Sequence, residues 1–227
     1  MSEHRSRRVE RLGRTLKEWA ECPLLGTDPR RTAVSLAVLT VFACLTVVST
    51  VAKDDLAGLR LATQTTAFDS LSSVVIVAGT ALVLVGPFVY AAYNGGPALA
   101  FTIPLVPVAL GELVAGRYVL DLDGAVALTT GVAGAAVALY LADVRRTGAH
   151  TPWNAPARGG ERLFVLAVAV AGGVLVGRFV AATPDRVVST YLQFGFLWVL
   201  PLAVGAGYCL PVVREMISNA TCWRFDD

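Results

Sequence analysis

The chain has 227 residues, 55% of them hydrophobic and only 16% charged, with a formal net charge of +2 and a mean hydropathy of +0.62. Charged residues make up roughly a quarter of an ordinary soluble domain, so water is not the solvent for most of this chain. That excludes a soluble globular fold, and no nucleic-acid partner is expected.

Residues 1–31 form a basic segment. Val9, Leu12, Leu16 and Trp19 recur three to four apart, with Arg5, Arg8, Arg11, Arg14 and Lys17 around them, the pattern of a short amphipathic interfacial helix. Its basic face would meet anionic headgroups and Trp19 the acyl boundary. A solvated tail that only enforces orientation, or a docking helix for a cytoplasmic partner, fits the same residues. Because about 30 largely polar residues precede the first apolar block and no A-x-A-like site follows it closely, this is not read as a cleavable signal peptide.

Residues 32–213 hold six apolar blocks of about 20 residues, the length that crosses roughly 30 Å of hydrocarbon. They are 32–52, 71–93, 97–116, 125–141, 163–182 and 191–213, and residues 214–227 form a short C-terminal tail. The expected fold is therefore an all-α, polytopic transmembrane bundle of about six spans. Only Asn94, Gly95 and Gly96 separate the second and third spans, which forces an antiparallel hairpin.

Lysine and arginine placement gives the orientation. Eight lie in the N-terminal segment, four in the loop after span four (Arg145, Arg146, Arg158, Arg162) and two in the C-terminal tail (Arg214, Arg224). The opposite side receives five, namely Lys53, Arg60, Arg117, Arg178 and Arg186, together with most acidic loop residues. Both termini are then cytoplasmic and the expected location is the plasma membrane. Arginine outnumbers lysine seventeen to two, which points to a GC-rich genome and a salt-adapted prokaryote.

Small residues at every fourth position let helix backbones approach within lipid. Ala33 and Ala37, Ala127, Gly131 and Ala135, Gly173 and Gly177, and Ala203 and Gly207 follow this spacing. They suit a compact bundle and, secondarily, a homo-oligomer or a membrane-protein partner. Pro87, Pro104, Pro107 and Pro201 interrupt spans two, three and six. Each removes a backbone hydrogen bond, and broken spans in matching positions of two halves mark the binding sites of transporters.

Charge inside a span is costly and is usually paired or functional. Glu112 and Arg178 fall near the outer ends of spans three and five, at similar depth. Facing each other, they form a clamp or the floor of an outward-facing polar pocket lined by Tyr118, Tyr191 and Gln193; apart, they are interfacial residues that snorkel to the headgroups.

The exclusions are sharper. No histidine or lysine lies in a span, so neither a bis-histidine haem nor a retinal Schiff base is available. No H-E-x-x-H, G-x-S-x-G or G-x-x-x-x-G-K-[ST] occurs, which leaves no recognisable catalytic constellation. Cys22, Cys222, His4 and His150 share one predicted side, but without the short spacing of zinc ligands, so no metal or cofactor is expected. Asp121-Leu-Asp123-Gly-Ala-Val-Ala resembles the opening of the metal-binding signature of CDP-alcohol phosphotransferases. Leu128 stands where that signature has Arg, and its later paired Asp residues are missing. The motif, with Asp121 and Asp123, is instead expected to form a polar cap opening span four.

Six spans, a short basic N-terminal segment and the Ala33-x-x-x-Ala37 pair opening span one are similar to the substrate-binding subunits of energy-coupling-factor vitamin transporters. That resemblance implies a small-solute pocket opening outward and an ATPase supplied by partners. Two functions fit the sequence: a small-solute binding or transport component, and a non-catalytic membrane scaffold or accessory subunit. An enclosed polar cavity in the outer half favours the first, and a solidly packed bundle with an outward Gly/Ala stripe the second.

Overall fold

A computed structural model describes residues 24–56, 64–116, 120–148, 159–184 and 199–207. Among these residues all regular structure is helical: α1 (Pro29–Leu56), α2 (Gln64–Leu84), α3 (Gly86–Tyr93), α4 (Pro97–Thr102), α5 (Leu105–Ala115), α6 (Leu122–Thr147) and α7 (Gly159–Ala182). Residues 199–207 are also helical. Four stretches are long and apolar enough to cross a membrane: Pro29–Ser49, Pro97–Val114, Leu122–Arg146 and Gly160–Ala182. A fifth is the bent pair Leu71–Leu84 and Gly86–Tyr93. The chain is a multi-pass helical membrane protein. The basic helix expected within residues 1–31 lies mostly outside the described residues, as does much of the sixth block, 191–213.

Helix ends follow local chemistry rather than hydropathy. α1 begins at Pro29, three residues before the apolar block, because Asp28 Oδ1 accepts the Arg30 amide at 2.9 Å and Pro at the first helical position has no donor to lose. α6 begins where Asp121, of the motif expected to cap span four, accepts the Gly124 amide at 3.0 Å, and ends on left-handed Gly148. It runs six residues past the expected Leu141, through Asp143, Arg145 and Arg146.

α6 is the axis of the bundle. It packs against α2, α3, α4, α5 and α7, whereas α1 packs against α2 and α5 at the periphery. Ala127 and Ala135 are fully buried. A Cβ on Gly131 would lie 2.7 Å from the Phe101 carbonyl oxygen and 3.3 Å from the Pro104 ring, and one on Gly134 would strike the Pro87 ring. The small residues of span four are thus seats for neighbouring backbones.

Those seats explain two of the prolines. Pro87 follows a 59° bend between α2 and α3, and its ring rests on Gly134. Pro104 sits in the turn between α4 and α5, with its ring near Gly131. Both are fully buried. The bends therefore let α2–α3 and α4–α5 wrap the central helix.

Candidate functional site

The described helix ends gather into two chemically distinct poles. At one, the start of α1, the α3–α4 turn, the end of α6 and the start of α7 meet, bringing Arg30, Arg31, Arg145, Arg146 and Arg162 to one end of the bundle. Arg146 makes a bidentate pair with Glu161, Nη2 to Oε1 at 2.9 Å and Nη1 to Oε2 at 3.0 Å, and lies 3.7 Å from Asp143. Glu161 and Asp143 are each 1% exposed. This cluster fastens α6 to α7 where both leave the apolar layer, in the geometry that makes Arg–carboxylate pairs strong.

Asn94 is the second fastening at this pole, and it is completely buried. Its Nδ2 donates to Thr32 Oγ1 at 2.8 Å and to the Tyr90 hydroxyl at 3.0 Å, while its Oδ1 accepts the Asp28 amide at 2.9 Å. The Asn94 carbonyl takes the Thr27 amide at 3.1 Å, and Ala98 donates to Leu24 at 2.9 Å. Tyr90 and Thr32 both donate to the Leu25 carbonyl. Gly26 at φ 127° and Gly95 at φ 70° supply left-handed turns, and a side chain on Gly96 would collide with the Leu25 backbone. Residues 24–32 are thereby bound to the 94–98 turn. By sequence alone Asn94 reads as a plain connection; a polar residue ahead of Gly-Gly-Pro in an otherwise apolar hairpin is the available signal.

The other pole is acidic. Here α1, α2, α5 and α6 enclose a groove of about 580 Å³. Apolar walls from Phe42, Ile76, Val83 and Val108 carry a few polar groups: Thr46, Thr80, Glu112 and Asp123. Glu112 Oε2 is buried without a hydrogen-bond partner. Thr80 donates its hydroxyl hydrogen to Ile76 at 2.9 Å, which leaves its oxygen as an acceptor. On α5 the wall includes Pro107 and Gly111, and Gly111 carries no side chain to fill it. The lining therefore presents acceptors and carboxylates.

The expected site residues separate in this arrangement. Glu112 and Pro107 line the groove. Arg178 is exposed on α7, outside the lining, and forms no ion pair with Glu112. Pro87 and Pro104 pack against α6 as described, and Pro201 is buried within residues 199–207. Tyr118, Tyr191 and Gln193 lie outside the described residues, as do Cys22, Cys222, His4 and His150. Asp123, which sequence reasoning assigned with Asp121 to a helix cap, joins Glu112 at the groove.

The small-residue faces also divide. Gly173 packs against Leu202, and Gly205 against Ala169. Gly177 and Gly207 look into open space, and Ala33, Ala37 and Ala203 are exposed. Comparison with protein-family models, curated proteins and solved structures finds no match to this chain.

Proposed function

We propose that the protein is a small-solute binding or transport component whose site is the groove between α1, α2, α5 and α6, and that its solute is cationic. The observation that carries this reading is Glu112 Oε2, buried and unpartnered in a groove that also holds Asp123. A buried carboxylate oxygen without a donor is costly, and a bound cation removes the cost. The apolar walls and few convergent polar groups are those of a ligand site. With both termini cytoplasmic, as the arginine distribution indicates, the groove opens in the outer leaflet.

The test is a thermal-shift series on detergent-purified protein with sodium, guanidinium and protonated amines, comparing the parent with Glu112→Gln. Binding to the folded state raises the melting temperature. A cation that stabilises the parent and has no effect on Glu112→Gln supports the reading. If no cation moves the parent and Glu112→Gln melts higher, the groove holds only lipid and the carboxylate is a liability.

A second reading, an accessory subunit of a larger membrane complex or a homo-oligomer, is favoured by the exposed Ala33, Ala37 and Ala203 and the open Gly207. Cross-linking in native membranes through Cys substituted at Ala37 or Ala203 tests it.

A further inference from the structure

A second groove, of about 600 Å³, runs between α1 and the α2–α3 elbow. Val34, Val38, Val41 and Leu45 form one wall, Ala78, Ala81, Val85 and Val89 the other, with Tyr90, Tyr93 and Ile103 at its base. From Val34 to Leu45 it extends about 16 Å along α1 at the helical rise per residue, roughly half the hydrocarbon thickness. It begins at the arginine pole and meets the Glu112 groove at Phe42, which lines both. The two grooves overlap in depth along α1 and α2 and diverge toward opposite poles.

The mouth of the apolar groove is charged. Arg31 lies over the Tyr93 ring at 4.9 Å and donates from Nη1 to the Tyr93 carbonyl at 2.6 Å, so a groove-lining aromatic holds the guanidinium at the rim. Its Nε lies 3.6 Å from Asp28, and its other donors remain for a ligand. Arg30 is adjacent and exposed. An apolar slot one leaflet long, ending under two arginines, matches a single acyl chain below an anionic headgroup.

We infer that this groove is a specific site for one anionic phospholipid of the leaflet at the arginine pole, its acyl chain between α1 and the elbow and its phosphate at Arg30 and Arg31. The site shares Phe42 with the solute groove but none of its carboxylates. Lipid here fills the gap between a peripheral helix and the bundle, so occupancy stabilises the docking of α1.

The experiment uses the full chain, delipidated in detergent, with phosphatidylglycerol and phosphatidylcholine of equal chain length as probes. Native mass spectrometry reads retained lipid, and thermal shift reads stabilisation. The parent retains one phosphatidylglycerol in preference to phosphatidylcholine and melts higher with it. Arg30→Gln, and then Arg30→Gln with Arg31→Gln, weaken that retention about fivefold for each arginine removed, the scale of one basic residue near an anionic surface. Ala81→Trp and Val38→Trp, each filling the slot from a different wall, abolish retention while leaving the melting temperature without lipid near the parent value. Equal retention of the two lipids by the parent overturns the proposal. So does a phosphatidylglycerol preference that survives both tryptophan variants, because the lipid is then held elsewhere, the basic residues 1–23 included.

Discussion

α1 and α6 have similar hydropathy, 2.2 and 1.8 over their apolar stretches, yet 22% of the first and 78% of the second is buried inside the protein. Hydropathy therefore measures only that both helices leave water. What separates them is side-chain size. Val34, Leu36, Val38, Val41, Val47 and Val48 are exposed on α1, where branched side chains meet lipid tails as apolar as themselves. α6 carries Ala125, Ala127, Gly131, Gly134, Ala135 and Ala138 where five other helices close on it. With no hydrophobic gain available between helices in lipid, close backbone approach selects the centre.

Substitutions on the two helices sharpen this contrast. The largest effect is expected from Arg146→Ala at the end of α6, which strands Glu161 in a buried site and costs about 3–5 kcal/mol. The double variant Arg146→Met with Glu161→Leu should recover most of it in a chemical-denaturation titration; if it does not, the pair does more than neutralise charge. Next comes Gly134→Ala, whose added methyl meets the Pro87 ring and costs about 1–3 kcal/mol by overpacking. On α1 the same kind of enlargement, Ala37→Leu, should leave thermal stability within about 0.5 kcal/mol, as for surface sites generally. An equal loss at Ala37 and Gly134 would break the contrast and indicate a partner seated on α1. Asn94→Ala tests the polar network that ties the start of α1 to the 94–98 segment. Several buried partners lose their bonds, and a loss of about 1–3 kcal/mol is expected from groups left unsatisfied. Proteolysis between Leu24 and Pro29 should then accelerate, while cleavage at the α6–α7 pole stays unchanged. The smallest effect is that of Val41→Ala, on an exposed side chain, with a change expected within about 0.5 kcal/mol.

The apolar blocks were legible because lipid imposes a length on each crossing, and the blocks at 32–52, 97–116, 125–141 and 163–182 each contain much of a helix long enough to span. Their ends were less legible. α6 continues through Asp143 and Arg146 because Glu161 and Arg162 on the adjacent α7 complete the charge balance, partners that a hydropathy window does not register. Pro87 follows the bend between α2 and α3 and Pro104 sits in the turn before α5, but their burial against Gly134 and Gly131 is a property of α6 that nothing near either proline announces. Glu112 was legible as an ionisable residue in an apolar run. Its neighbour in the groove was not, because Asp123 lies eleven residues on, across a turn, and reads locally as a helix-start carboxylate.

The bond network around Asn94 joins residues more than sixty positions apart in the chain. A ribosome that has delivered residues 24–32 must therefore add the whole of α1, α2 and α3 before their hydrogen-bond partners exist. Until then the segment ahead of α1 keeps its polar groups in the aqueous boundary, and the first crossing is threaded but not locked. Arrival of the Asn94 turn closes two crossings, α1 and the bent α2–α3 pair, at one stroke, so assembly at this pole is an ordered event set by the direction of synthesis.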